Sequence, residues 1–297
     1  MEDLKLLSTE KRKNNAALDT FSAFEIASYM NNEDKKVAYA VEGELESISK
    51  AIDAIAEKLI DGGKLFYFGA GTSGRLGILD ASECPPTFGT DPTLVQGVIA
   101  GGTDAIITAI ENAEDDMESG KKDVQERKIT GRDAVVGLAA SGRTPYVIGA
   151  LQAAKEAGAL TISVCCTKEN AISNWADIAI NVEVGPEVVT GSTRLKSGTA
   201  QKMVLNMLST GAMIRMGKVY GDLMVSLKAT NEKLRERVKT IIMESVNVTY
   251  EEAQLLAEQS GNNASVAIVM HKKNIGRIEA EKCLEETKGN VRMAILA

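Results

Sequence analysis

Five short apolar runs, Leu65–Phe68, Leu94–Ala100, Ala134–Leu138, Leu160–Cys165 and Ile178–Val184, constrain this chain more than any other feature. They are rich in β-branched residues, which favour strands. Helical stretches at Arg75–Ala81, Asp104–Glu118 and Pro145–Ala157 separate most of them. This alternation predicts an α/β fold, a doubly wound parallel sheet flanked by helices, with ligands at the carboxyl ends of the strands.

Helices are expected on either side of the sheet. Ser22-Ala23-Phe24-Glu25 has the form of a capping box. Val37, Val41, Leu45, Ile48, Ile52, Ile55 and Leu59 then recur at three- and four-residue steps, predicting an amphipathic helix over about 34–60 that stops at Gly62-Gly63. A long helix is expected from about Gly198 to Met216. Beyond about Val246 the stretches "TYEEAQLLAEQSG", "NASVAIVMHKK", "GRIEAEKCLEETKG" and "NVRMAILA" read as short helices broken by Gly and Asn. The expected division is a sheet domain with its amino-terminal helices over 1–245 and a small helical module over 246–297.

Composition excludes several chemistries. His271 is the only histidine, so one chain cannot assemble a His-based zinc or iron site, nor a Ser-His-Asp or Cys-His pair. Acid–base work falls to carboxylates, Lys, Tyr or Cys, and neither a metal nor another cofactor is expected. A net charge of -7 argues against a nucleic-acid partner. The charged amino terminus does not resemble a signal peptide, and no apolar run is long enough to span a membrane. Cys84, Cys165, Cys166 and Cys283 lack C-x-x-C spacing, which predicts reduced thiols and a cytoplasmic location.

The stretch "GAGTSGR" (Gly69–Arg75) contains a G-x-G-x-x-G directly after the first strand. A dinucleotide site would need an acidic residue at the end of the next strand, whereas Asp91 precedes that strand. An internal echo explains the stretch better: "KLFYF-GAGTSGR-LGIL" recurs as "AVVGL-AASGRTP-YVIGAL". Each is a strand, a Ser-Gly-Arg loop and a helix start, and helix N-termini attract anions. Either loop alone is explained by ordinary N-capping; the matched pair favours a phosphomonoester. Thr72, Ser73, Ala140, Ser141 and Thr144 are the candidate phosphate and sugar contacts. A third loop, Thr190–Lys202, brings hydroxyls with Arg194 and Lys196. It either closes over a sugar, with Lys196 as a contact, or is a capped helix start with solvated basic residues.

"GAGTSGRLGILDASECPPTFGT", "IAGG…AIENAEDD", "LAASGRTPYV" and "TGSTRLKSGTAQKM" closely resemble the N-acetylmuramic acid 6-phosphate etherase family. That family belongs to the sugar-isomerase-domain superfamily and is related to the glucokinase regulatory protein. The similarity runs from the amino-terminal "STEKRKNN" to the carboxyl-terminal helices. It implies a sheet of sugar-isomerase-domain type, a phosphosugar substrate, removal of a D-lactyl ether without a cofactor, and a homodimer. It also implies Glu83 as the acid that protonates departing lactate and Glu114 as the base. The alternatives are an aldose–ketose isomerase of phosphosugars and a non-catalytic phosphosugar-binding regulator.

Both glutamates suit these roles. Glu83 stands among Ala81, Ser82, Cys84 and two prolines, an apolar, rigid setting that favours a protonated carboxyl; the plainer reading is an exposed loop carboxylate. Glu114 lies in a charge run, and on the expected helix the stripe Ile106, Ile110, Ala113, Met117 places it at the border of core and solvent. Glu111 borders Ile107 in the same way, so spacing alone does not choose between the two. With one histidine in the chain, turnover should survive exhaustive dialysis against EDTA. Activity lost on chelation and restored by a single divalent metal would overturn that expectation.

Overall fold

All five residues of β1 (Leu65–Gly69) and of β3 (Ala134–Leu138) are buried, as parallel strands covered on both faces require. In this computed structural model, which describes Thr9, Lys11, Arg12 and residues 17–229 and 231–297, they pair with β2 (Val95–Ile99), β4 (Leu160–Cys165) and β5 (Ile178–Asn181). The "STEKRKNN" segment lies largely outside the described residues. The sheet is parallel throughout, in the order β2-β1-β3-β4-β5. The chain leaves β1 for β2 on one side and returns to β3 on the other. Their paired ends, Gly69 opposite Leu138, therefore mark the switch point where open α/β sheets bind ligands.

The helix predicted over 34–60 is two helices. In α1 (Ala23–Glu42) the expected capping box is present: the Ser22 side chain accepts the Glu25 N–H, and the Glu25 carboxylate accepts the Ser22 N–H. Gly43 ends α1, its N–H bonded to the Tyr39 carbonyl, and α2 (Leu45–Ile60) starts after it. The apolar stripe continues across the break, with Val37, Val41, Ile48, Ile55 and Leu59 all buried.

Asp104–Glu118 departs from expectation. In place of one helix there are two 3-10 turns, Thr103–Ile106 and Ala113–Asp115, and then α4 (Met117–Glu126), which Asp116 caps by accepting the Ser119 N–H. Asn112 takes positive φ inside that stretch and interrupts the helical run, while Gly101 and Gly102 take positive φ just before it. Of the predicted stripe Ile106, Ile110, Ala113 and Met117, none is fully buried and Ile110 is 44% exposed, so it offers no closed face that could hold a helix together.

The compact parts of the chain are two. The first takes in the described residues up to Ser82 and Thr93–Ser209, and holds the sheet, α1, α2, α4, α5 (Pro145–Glu156) and most of α3 (Gly71–Phe88) and α6 (Lys196–Arg215). The second comprises Glu83–Pro92 and Thr210–Ala297, with α7 (Glu232–Val246), α8 (Tyr250–Gln259), α9 (Ala264–Lys273), α10 (Arg277–Glu286) and α11 (Val291–Leu296). Its core includes Val238, Ile242, Ala267, Ile268, Ala280 and Val291. Helices α4 and α7 have no counterpart in the sequence analysis.

The helix that follows the Glu114 turn is seated by two glycines. A Cβ on Gly120 of α4 would lie 2.0 Å from the Tyr146 carbonyl oxygen, and one on Gly149 of α5 would lie 2.1 Å from that of Met117. Tyr146, whose hydroxyl donates to Asp123, joins the same two helices; burial and then this bond push its phenol well above the usual range. Gly149→Ala should therefore cost about 1–3 kcal/mol, seen as a lower urea midpoint. Glu156→Ala, exposed on the same helix, should change it by less than about 0.5 kcal/mol. An unchanged midpoint in Gly149→Ala would show that the helices separate freely.

Candidate active site

The turn after β1 is shorter than the sequence suggests. Only Ala70 separates Gly69 from α3, so Thr72, Ser73, Gly74 and Arg75 belong to the helix's first turns, not to an extended loop. A Cβ on Gly74 would sit 2.6 Å from Ile99 Cγ1 and 2.7 Å from the Gly69 carbonyl oxygen. The glycines of the motif thus let helix and strand touch, with no pyrophosphate needed to explain them. A first helical turn has N–H groups with no intrahelical acceptor, and α3 has no acidic residue there to occupy them.

The echoed loop after β3 is anchored by its backbone. Ala139 donates to the Val164 carbonyl, the Ala140 carbonyl accepts from Cys166, and the Gly142 carbonyl accepts from Ala171 and Ile172. Thr144 stands at the N-cap of α5, yet its side chain accepts no capping bond. Among the described residues the hydroxyls of Thr72, Ser141 and Thr144 make no hydrogen bond. Ser73 differs: its hydroxyl donates to Gln201 Oε1 at 2.8 Å. The structure thus brings two helix starts, with three uncommitted hydroxyls, to the ends of neighbouring strands.

The third loop is organised differently. Lys196, only 1% exposed, donates from Nζ to the Val184 carbonyl at 2.8 Å and pairs with Glu33 Oε2 at 3.2 Å. Its N–H, with the N–H and hydroxyl of Ser197, goes to the fully buried Glu187 carboxylate. The N-terminus of α6 therefore already holds an anion, supplied by the chain itself. Sequence reasoning missed Glu187, because nothing in "GPEVVTG" marks it as a cap for a helix nine residues on.

Asp80 was also missed. It is buried on α3 and accepts from Tyr67 Oη at 2.9 Å, Asn206 Nδ2 at 2.8 Å and Ser209 Oγ at 3.1 Å, tying β1, α3 and α6 together. Burial pushes its carboxyl above the usual range, although these donors and Lys202 pull the other way.

A cavity of about 200 Å³ opens beside the start of α3, lined by Gly71, Arg75, Ala100, Ile110, Glu111 and Glu114. Arg75 Nε donates to the Ile106 carbonyl at 2.7 Å, holding the Thr103–Ile106 turn against α3. Glu114 is exposed, on a 3-10 turn and not on the expected helix face. Glu111 lines the same cavity, so geometry, like spacing, leaves both carboxylates in place. Glu83 lies in the second unit, on the last turns of α3, which continues through Pro85 and Pro86. It is exposed together with Ser82, while Ala81 and Cys84 are buried; the apolar setting expected around its carboxyl lies on the opposite side of the helix. A larger cavity of about 590 Å³ in the second unit, lined by Phe88, Lys218 and Asn262 among others, includes none of the candidate catalytic or binding residues. His271 is exposed near the end of α9, and no described helix is long and apolar enough to cross a membrane.

Residues 47–155 match the glucokinase regulatory protein N-terminal SIS domain, and residues 106–211 match the SIS domain. Among solved structures, a phosphoheptose isomerase from Francisella tularensis superposes with a TM-score of 0.52 at 20% identity, over 66% of this chain and 100% of that one. That likeness shows the fold alone. An N-acetylmuramic acid 6-phosphate etherase from Clostridium beijerinckii is 53% identical over 99% of this chain and 97% of its own length. Another, from Lactiplantibacillus plantarum, is 52% identical over 99% of each. At that identity, carried from end to end, the chain belongs to the N-acetylmuramic acid 6-phosphate etherase family.

Proposed function

We propose that the protein cleaves the D-lactyl ether of N-acetylmuramic acid 6-phosphate, giving N-acetylglucosamine 6-phosphate and D-lactate. The observation that carries this reading is the 53% identity to an etherase over 99% of the chain. The site supports it. Two anion-attracting helix starts flank the switch point, and a carboxylate-lined cavity adjoins one of them. Thr72, Ser73, Ala140, Ser141 and Thr144 hold the phosphate and sugar. Lys196 acts from within the fold, where its bond to Glu33 positions the segment before α6.

The chemistry suits carboxylates. In the opened sugar the carbon-1 aldehyde acidifies the carbon-2 proton, and the carbon-3 ether lies β to that carbonyl. Glu114 removes the proton from carbon 2. The bond between carbon 3 and the ether oxygen breaks, and Glu83 gives its proton to that oxygen, releasing lactate. Water then adds across the double bond, its oxygen to carbon 3 and a proton to carbon 2. Direct displacement would expel an unstabilised alkoxide, whereas elimination spreads the developing charge onto the aldehyde.

The protein works in the cytoplasm as a homodimer. Free thiols at all four cysteines support the first, with burial pushing Cys165 up to about 12 and Cys166 higher still. The family resemblance supports the second, which light scattering will test.

Turnover in heavy-oxygen water should label carbon 3 of the sugar and leave lactate unlabelled; label in lactate would overturn elimination. Glu114→Gln should stop solvent exchange at carbon 2, and Glu83→Gln should slow lactate release while exchange persists. Glu111→Gln should keep near wild-type activity, and loss there with retention in Glu114→Gln would reverse the choice between the two. Ser73→Ala and Ser141→Ala should each weaken N-acetylglucosamine 6-phosphate binding by about 1.5–3 kcal/mol; calorimetry showing unchanged affinity in both would remove the phosphate assignment.

A further inference from the structure

Ser73 carries one hydroxyl proton, and in this structure that proton goes to Gln201 Oε1, 2.8 Å away. Gln201 is 1% exposed, and its Nε2 finds no acceptor among the described residues. A buried amide nitrogen with two unmet N–H groups is a costly arrangement and calls for an explanation. Turning the amide about its last torsion exchanges oxygen and nitrogen without changing its shape. In the turned state Nε2 donates one N–H to Ser73 Oγ, and one donor and the carbonyl oxygen are left unmet instead of two donors. The Ser73 proton is then released and needs an acceptor of its own.

The surroundings suggest where that acceptor comes from. Ser73 sits in the first turn of α3, whose N–H groups attract an anion and whose own sequence supplies none. The start of α6 lies against the same turn: a Cβ on Gly198 would be 3.6 Å from Thr72 Cγ2. We propose that Gln201 is a positioning residue for the phosphomonoester site, its side-chain amide turning over when a phosphate oxygen reaches α3. The bound state is then a chain in which Gln201 Nε2 donates to Ser73 Oγ and Ser73 donates to the phosphate. Each donation polarises the next. Without the anion the Ser73 proton has no better acceptor than Gln201 Oε1, which is the resting arrangement. This inference rests on the reading of Ser73 as a phosphate contact.

The side-chain amide resonances of Gln201, assigned by their disappearance in Gln201→Met, report the turn directly. They should shift when N-acetylglucosamine 6-phosphate or inorganic phosphate is added and stay still with N-acetylglucosamine. Gln201→Glu, which when ionised can only accept, and Gln201→Met should each weaken binding of the phosphorylated sugar by about tenfold. In a Ser73→Ala background the same changes should cost less than about twofold. Thermal melts identify variants that fail to fold, and for those the wild-type resonances decide. Unmoved resonances in a protein that binds the phosphorylated sugar, or equal losses in both backgrounds, would overturn the role of Gln201. Unchanged affinity in Ser73→Ala would instead overturn the reading of Ser73 as a phosphate contact.

Discussion

Helix α3 lies on β1 and β2 at backbone contact, and the candidate phosphate site depends on that closeness. Besides Gly69 and Gly74, a Cβ on Gly77 would fall 2.8 Å from Tyr67 Cβ, and one on Gly97 would fall 2.5 Å from Ile78 Cα. Any side chain along this seam lifts the helix and withdraws its first turn from the strand ends. Asp80 fixes the same helix through Tyr67, Asn206 and Ser209. Removing that carboxylate would take the acceptor from two buried hydroxyls and the half-buried Asn206 amide, a larger loss than an exposed surface ion pair represents.

Three helices begin near the carboxyl edge of the sheet, and they are not equivalent. The first turn of α6 is filled by Glu187, whose two oxygens take the N–H groups of Lys196 and Ser197. Those of α3 and α5 contain no acidic residue. Since a helix start attracts one compact anion at a time, the internal carboxylate removes α6 from contention and leaves the pair that flank the switch point. The buried ion pair of Lys196 with Glu33 belongs to the same framework. Its desolvation is offset by the Val184 carbonyl and by Lys36, which also reaches Glu33 at 2.7 Å.

Gln201 and Ser73 show how a site can keep a donor in reserve. A serine fully committed within the protein contributes nothing to a ligand, and one wholly free must be ordered on binding. A hydroxyl held by an amide that can reverse itself is ordered beforehand and released to the ligand at the cost of one torsion. The burial of both residues makes each bond stronger than in water and leaves few other partners.

Much of this was legible in the sequence. The strands β3 and β4 fall on the predicted residues and β1 within one, because a short apolar run reports burial directly. The Ser22–Glu25 capping box was readable for the same reason, since its partners are three residues apart. The Asp104–Glu118 helix was misread because its spacing carried a helical period while Asn112 required another backbone. What the sequence by itself determined is therefore whatever depends on neighbours: periodicity, local caps, the exclusion of histidine chemistry and the family motifs. Tertiary structure alone decided which of the candidate groups are committed. Ser73 meets Gln201 across 128 residues and Lys196 meets Glu33 across 163, and composition and spacing set a residue's type and face but not its distant partner.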